Sequence, residues 1–282
     1  MPIRGSVRRL CLGLSTLLGR PRGFFIPYRN AQNLTPAGAR PPYLGIERLF
    51  EANGAKFAAE LQGLEQYADA LSAIGGQPAP APRWDQDWFP RLDAAMAYAM
   101  VRRHRPARIV EVGSGHSTRF MARAVEDGGL ATRIVAIDPS PRAPLRDLRL
   151  EWLPKTVPTC GLAPFRELAA QDLLFIDSSH ILMPGTDVDF LLNEVLPILP
   201  AGVLLHLHDM FLPDDYPADW GWRGYNEQSG VAGLLDGRWE PLFASRYVVT
   251  RMSDRLRDNV IARLPLVCGA FETSLWLKRR EA

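Results

Sequence analysis

Six ionisable side chains stand at or near the ends of short apolar runs in this 282-residue chain: Glu111, Asp138, Asp177, His180, His208 and Asp209. A carboxylate can accept hydrogen bonds from hydroxyls, face an ammonium or bind a divalent cation. An imidazole titrates near neutral pH and can take a proton from a reacting hydroxyl. A seventh feature is Gly113-Ser114-Gly115, directly after the first of those runs. Glycines there allow a tight turn and close approach of a ligand to the backbone.

These residues need elements that bring them to one place. Residues 109–112, 133–138, 148–153, 172–177 and 202–208 read as strands. They are short and apolar, as expected of strands covered on both faces. Helical patterns lie between them, one starting near Ser117 and another over 187–199. Strands alternating with helices give a parallel sheet with helices on both faces. Residues 239–250 and 271–278 read as two further strands closing the sheet as an antiparallel pair. The expected fold is therefore α/β: a Rossmann-like, seven-stranded, mostly parallel sheet whose last strand is antiparallel, preceded by an N-terminal helical extension. In such a sheet ligands sit at the carboxyl ends of the strands, where all seven features fall.

Glu111 is the informative residue of the loop. A carboxylate near the end of a buried strand costs free energy unless something partners it. It would repel the pyrophosphate of a dinucleotide but would welcome the ammonium of a methionine moiety. Position 118 is Thr, so the third glycine of a dinucleotide fingerprint is missing. Asp138 closes the second strand and suits ribose hydroxyls. The expected cofactor is S-adenosyl-L-methionine, with Glu111, Gly113, Ser114, Gly115, Ser117, Asp138 and Asp177 as its binding residues.

Glu111-Val112-Gly113-Ser114-Gly115, Val135-Ala136-Ile137-Asp138, Leu174-Phe175-Ile176-Asp177 and Ser274-Leu275-Trp276-Leu277 together resemble class I S-adenosylmethionine-dependent methyltransferases over roughly residues 84–279. More narrowly, Ile176-Asp177-Ser178-Ser179-His180, His208-Asp209-Met210-Phe211-Leu212-Pro213 and Tyr225-Asn226-Glu227-Gln228 resemble a bacterial, methyltransferase-24-like subgroup of unassigned substrate. The resemblance implies methyl transfer, with O-methylation of a small-molecule or glycan hydroxyl as the expected reaction. No acid follows the third strand to hold an adenine amine.

His208, Asp209 and His180 are the catalytic candidates. His208 or His180 would remove the proton of the acceptor hydroxyl. Related metal-dependent O-methyltransferases imply a second route, in which Asp177, His208 and Asp209 hold Mg²⁺ and lower the pKa of that hydroxyl. His206 points to the same face as His208 but deeper, where a core histidine is expected. The aromatic stretch 210–225 reads as a pocket wall or lid, or as packing on the sheet. Trp84, Trp88 and Phe89 would close the pocket from the other side. Asn226, Glu227 and Gln228 read as the polar start of a helix. An NAD-binding oxidoreductase and a catalytically inactive S-adenosylmethionine-binding protein are the competing readings.

Net charge is +2, which gives no reason to expect a nucleic-acid partner. Cys11, Cys160 and Cys268 are few and far apart, fitting free, mostly structural thiols in a reducing compartment and a cytoplasmic location. Residues 1–42 are Arg-rich and contain no acid. Arginines followed by an apolar stretch at 10–18 have the order of a signal peptide, but Arg20 and Arg22 follow at once without a clean cleavage site. A short amphipathic helix, with membrane-surface contact left open, fits as well. Apolar residues at helical spacing over 44–71 predict a helical stretch, and Gln77-Pro78-Ala79-Pro80-Ala81-Pro82 predicts a polyproline-type linker. The expected division is 1–82, extension and helical cap, and 83–282, cofactor-binding domain. Residues 91–104 read as the helix that leads into the latter. Oligomeric state is left open.

Overall fold

The computed structural model describes residues 2–24, 26–235 and 237–281, with side chains from residue 7 onward. Seven strands form one sheet: β1 (Arg108–Val112), β2 (Arg133–Ile137), β3 (Glu151–Leu153), β4 (Leu173–Ile176), β5 (Leu204–Leu207), β6 (Trp239–Ala244) and β7 (Leu275–Arg279). Their order is β3-β2-β1-β4-β5-β7-β6. β7 runs antiparallel to both β5 and β6, while β1 to β5 pair in parallel. The order reverses between β1 and β4, which is where an open α/β sheet leaves a crevice at its carboxyl edge.

β4 and β5 are buried along their whole length, and β1 and β2 after their first residue, which is why these runs lack polar alternation. β3 is a three-residue edge strand rather than the six residues expected. It is largely exposed, so burial does not extend the pairing. The strand expected over 239–250 stops at Ala244, and Ser245–Arg251 is a helix. Its β-branched Val248 and Val249 suggest a strand, but tertiary packing decides otherwise. Tyr247 meets Phe50 and Phe57 edge-on, at 5.6 and 6.0 Å between ring centres. β7 begins at Leu275 rather than Phe271, because residues 272–274 are held elsewhere, as described below.

The N-terminal region contains α1 (Pro2–Leu17), α2 (Leu44–Ala52) and α3 (Gly54–Gln62), followed by a 3-10 turn at Gly63–Tyr67 and α4 (Ala68–Ser72). The stretch expected as helical over 44–71 is thus broken at Asn53 and again at Gly63. Phe50, Phe57, Leu61, Leu64 and Leu71 from it join the hydrophobic core of the sheet. Phe57 stacks edge-on against Phe243 of β6.

Helix α5 (Arg91–His104) lies as the sequence predicts, with Leu92 to Val101 buried. It carries Asp93 in its first turn and Arg102, Arg103 and His104 in its last, the charge order that suits a helix dipole. It packs beside α6 (His116–Asp127), the helix that follows the glycine loop. Asp93 is fully buried and accepts hydrogen bonds from the Thr273 and Ser274 N–H groups at 2.8 and 2.9 Å. Glu272 accepts two from the Arg91 guanidinium and one from the Leu92 N–H. The start of α5 therefore clasps the lead-in to β7. None of the three cysteines is paired; Cys11 and Cys268 are exposed, so they are not the packed structural thiols expected.

Candidate active site

The loop after β1 is built by close contact with β4. Gly113 has φ +75°, and a Cβ there would lie 1.8 Å from the Asp177 carbonyl oxygen. Its N–H donates to the Ile137 carbonyl at the end of β2. Only glycine combines that backbone conformation with that approach. Beneath the loop, the fully buried Glu111 accepts hydrogen bonds from the Ser117 and Thr118 hydroxyls, each at 2.6 Å. Thr118 Oγ1 in turn accepts from the Gly115 N–H at 2.9 Å. Burial pushes Glu111 up to about 8 despite those hydrogen bonds, and the charges of Asp177 and Asp138 add to the rise. Glu111 thus ties the start of α6 to β1.

Asp138 accepts from the Ser114 N–H at 2.7 Å and its hydroxyl at 3.1 Å, and from the Ser140 N–H at 2.7 Å. A cavity of about 540 Å³ opens above, between the ends of β1, β2 and β4. Gly113, Ser114, Asp138 and Asp177 line it, whereas Glu111, Gly115 and Ser117 do not. The far wall is Lys155 to Pro158, after β3, and offers no carboxylate.

A second cavity of about 150 Å³ shares Asp177 and Arg142 with the first. Trp88, His208, Asp209, Trp220 and Arg223 also line it. Of the three aromatics expected to close the pocket, Trp88 reaches it, while Trp84 and Phe89 are buried against Phe120. The stretch 210–225 contributes to the pocket wall, and its aromatic residues pack on one another rather than on the sheet. Phe211, Tyr216 and Trp220 pack together, and Trp220 and Arg223 face the cavity. The Arg223 guanidinium lies 4.1 Å over the Trp220 ring, and that of Arg142 lies 4.2 Å over Trp88.

Between the cavities, four carboxylates surround two histidines. His180, whose φ of +60° turns the chain back after β4, is buried. Its Nδ1 meets Glu227 at 2.8 Å, and its Nε2 lies 3.2 Å from Asp177 and 3.4 Å from Asp209. His208 Nδ1 is 3.5 Å from Asp177 and 3.7 Å from Asp209, and its Nε2 is 3.4 Å from Asp93. Burial alone would push both imidazoles down. Hydrogen bonds that His180 donates to Asp177 and Glu227, with the charge of Asp209, hold it well above its ordinary value instead. The charges of Asp177 and Asp209 do the same for His208. Asp177 is held well below the usual carboxylate range, because the charge of His208 and the bonds to both histidines outweigh burial. Burial drives Glu227 upward.

Among the described residues, Asp177, His180 and Asp209 form a candidate ligand set for a cation, with ligand atoms all within 4.8 Å of one another. It exchanges the expected His208 for His180. The reason is Glu227: by fixing Nδ1 it leaves the His180 Nε2 between the two aspartates. His206 is a core histidine, stacked on Phe175 at 3.7 Å with Nε2 on the Ser274 hydroxyl. Asp93 and Glu227 were not singled out as site residues by sequence. A lone acid on the apolar face of α5 was the available signal for the first. For Glu227, the helix start is buried at Glu227 and Gln228 and half-buried at Asn226: Asn226 accepts from the Leu182 N–H and Gln228 from the Phe211 N–H.

Residues 110–210 match a family model described as a methyltransferase domain. No curated protein matches the chain. Among solved structures, the fold is similar to the methyltransferase PaMTH1 of Podospora anserina bound to SAH, at 16% identity, covering 92% of this chain and 100% of that one, with a TM-score of 0.44. It is also similar to an O-methyltransferase of Bacillus cereus in complex with SAH, at 17% identity, 65% and 82% coverage and a TM-score of 0.35. A third is MycE of the mycinamycin biosynthetic pathway, in complex with Mg, SAH and mycinamycin VI, at 17% identity, 88% and 68% coverage and 0.37. At such scores none of the three is a guide to this chain's chemistry. Residues 110–210, which match that model, run from β1 to just past β5 in the sheet order β3-β2-β1-β4-β5-β7-β6.

Proposed function

We propose that this chain is an S-adenosylmethionine-dependent O-methyltransferase acting on a hydroxyl of a small molecule or a glycan unit. One observation carries the reading: two cavities of unequal size meet at Asp177, the larger beside the glycine loop and Asp138, the smaller beside His208 and Asp209. A nucleoside-bearing donor fits the first and an acceptor the second. S-adenosylmethionine supplies a methyl group on a sulfonium that leaves as a neutral thioether.

The protein's part is mainly to hold donor and acceptor in line and keep water out. Asp138 would exchange its bonds to Ser114 and Ser140 for ribose hydroxyls, and the Gly113 turn keeps the backbone close to the donor. His208 faces the acceptor cavity and His180 does not, but His208, held protonated between Asp177 and Asp209, has no lone pair free for the hydroxyl proton; Asp209, which lines the same cavity, is the carboxylate that takes it, while the two histidines position Asp209 and Asp177. The acceptor oxygen gains the methyl group as its proton passes to Asp209.

The four carboxylates Asp93, Asp177, Asp209 and Glu227 are paired with the two histidines and with no Arg or Lys among the described residues. That surplus of negative charge fits a divalent cation. Asp177, His180 and Asp209 would hold it, and it would lower the pKa of the acceptor hydroxyl. An imidazole beside two carboxylates suits Mn²⁺ better than Mg²⁺, which prefers oxygen alone.

The test is calorimetric titration with S-adenosylmethionine, with NAD as control, followed by methyl-transfer assays on hydroxylated acceptors with and without Mn²⁺ or Mg²⁺. Binding of the first ligand and not the second supports the reading. Binding of NAD alone would overturn it.

A further inference from the structure

The apolar surface of this protein is concentrated at one end of the chain. Of the 17 exposed large hydrophobic side chains among the described residues, 12 lie between Val7 and Leu44. On α1, Val7, Leu10, Leu14, Leu17 and Leu18 are 54%, 62%, 51%, 65% and 82% exposed. Their spacing puts them on one helical stripe that continues just past the last turn. The other side of the helix faces the protein: Arg9 donates to the Gly221 carbonyl at 2.9 Å, and Ser15 and Thr16 are half-buried. The stripe therefore points outward. Beyond the helix, Phe24, Ile26, Tyr28 and Leu34 extend the apolar surface.

Charge identifies what covers it. Residues 1–46 contain seven arginines and no acid. Arg8, Arg20, Arg22 and Arg29 are exposed and have no acidic partner among the described residues. A second copy of this face would bring two sets of unpaired arginines together, which opposes self-association. An anionic bilayer offers acyl chains to the stripe and phosphate groups to the arginines. Spanning is excluded for this element, since among the described residues no helix is long and apolar enough to cross a membrane.

We propose that α1 and the segment after it dock the protein in the plane of an anionic phospholipid surface. The segment is fastened to the loop that lines the smaller cavity. Besides the Arg9 contact, the Gly38 N–H and the Arg40 guanidinium bond Asp215, and the Tyr43 N–H bonds the Pro213 carbonyl. Docking would therefore bring the side of the molecule that carries Trp220 and Arg223 to the lipid surface. The inference stands on the N-terminal segment alone and does not depend on the reaction proposed above.

The experiment is co-sedimentation of the full chain with vesicles of phosphatidylcholine alone, and with vesicles containing roughly one third phosphatidylglycerol. Expected is binding at least about tenfold stronger to the anionic vesicles, weakened severalfold by high salt. L10D/L14D should abolish it and R8E/R20E/R22E should reduce it about tenfold or more. These side chains are exposed, so both variants should melt as the parent does. Failure to bind anionic vesicles, equal binding to both vesicle types, or undiminished binding by L10D/L14D would overturn the proposal. So would a dimer in size-exclusion chromatography that L10D/L14D dissociates, with no vesicle binding.

Discussion

Replacing Gly113 with alanine tests the account of the cofactor loop, because the expected loss has two separable parts. The first is conformational: at φ +75° an L-residue pays about 1 kcal/mol. The second is steric: the new Cβ would fall 1.8 Å from the Asp177 carbonyl oxygen, so β1 and β4 must part at their ends. Overpacking of that kind costs about 1–3 kcal/mol. Gly129, just past the end of α6, isolates the first part, since its φ is +54° and a Cβ there meets nothing within 4 Å. Gly129→Ala should therefore lose about 1 kcal/mol and Gly113→Ala about 2–4 kcal/mol. For a chain of this size that is a fall in melting temperature of about 2–4 °C against about 4–16 °C. Calorimetric melting of both variants, with S-adenosylmethionine titrated into each, reads the difference. The Gly113 variant should also bind the cofactor at least about tenfold more weakly, as the strand ends that bound the larger cavity separate. Equal melting temperatures for the two variants would refute the close-contact argument, whatever the binding result.

Three further outcomes follow from the site. Asp138→Ala should weaken S-adenosylmethionine binding by about 1–2 kcal/mol in calorimetry, and unchanged affinity would remove Asp138 from the ribose role. Glu111 has a folded-state pKa of about 8 against about 4.5 unfolded, so the stability linked to it is full below pH 4.5 and is lost as pH rises through 8. Glu111→Gln should accordingly flatten the decline in stability between pH 5 and 8 by about 4 kcal/mol, as followed by denaturant titration across that range. Parallel pH profiles for variant and parent would contradict the buried-acid assignment. Asp209→Asn should lower affinity for Mn²⁺ by about tenfold or more in isothermal titration, whereas a surface control such as Asp254→Asn should leave it unchanged.

The sheet was legible wherever strands are buried on both faces. β1, β2, β4 and β5 combine β-branched or leucine-rich runs with polar residues at their carboxyl ends, and nothing in their packing competes with that pattern. The last stretch of the chain was less so. Val248, Val249 and Thr250 have strand propensity, yet Tyr247 and Val248 pack as helical residues beneath Phe50, a contact nearly 200 positions away that no local window contains. The loop glycines and the acids at strand ends were legible because their roles are local to one strand end. Glu227 and Asp93 were not: they act on partners 47 and 181 positions distant, His180 and Ser274. Glu111 was recognised as a buried acid in need of a partner, but that partner is the start of α6, at spacings of six and seven residues.

The strand order also governs how the chain can be assembled during synthesis. β6 reaches the sheet only through β7, the final strand, which must slide between β5 and β6 with its lead-in gripped by Asp93 and by the Arg91–Glu272 pair. Until Leu275–Arg279 has left the ribosome, β5 presents a bare edge and β6 has no neighbour. α3 packs on β6, so its docking against the sheet waits for β7 to emerge, although α3 is made before it. A nascent chain stalled before Leu275 would hold the glycine loop, Asp138, Asp177 and His208 in place on one half of a sheet whose other half had not yet closed.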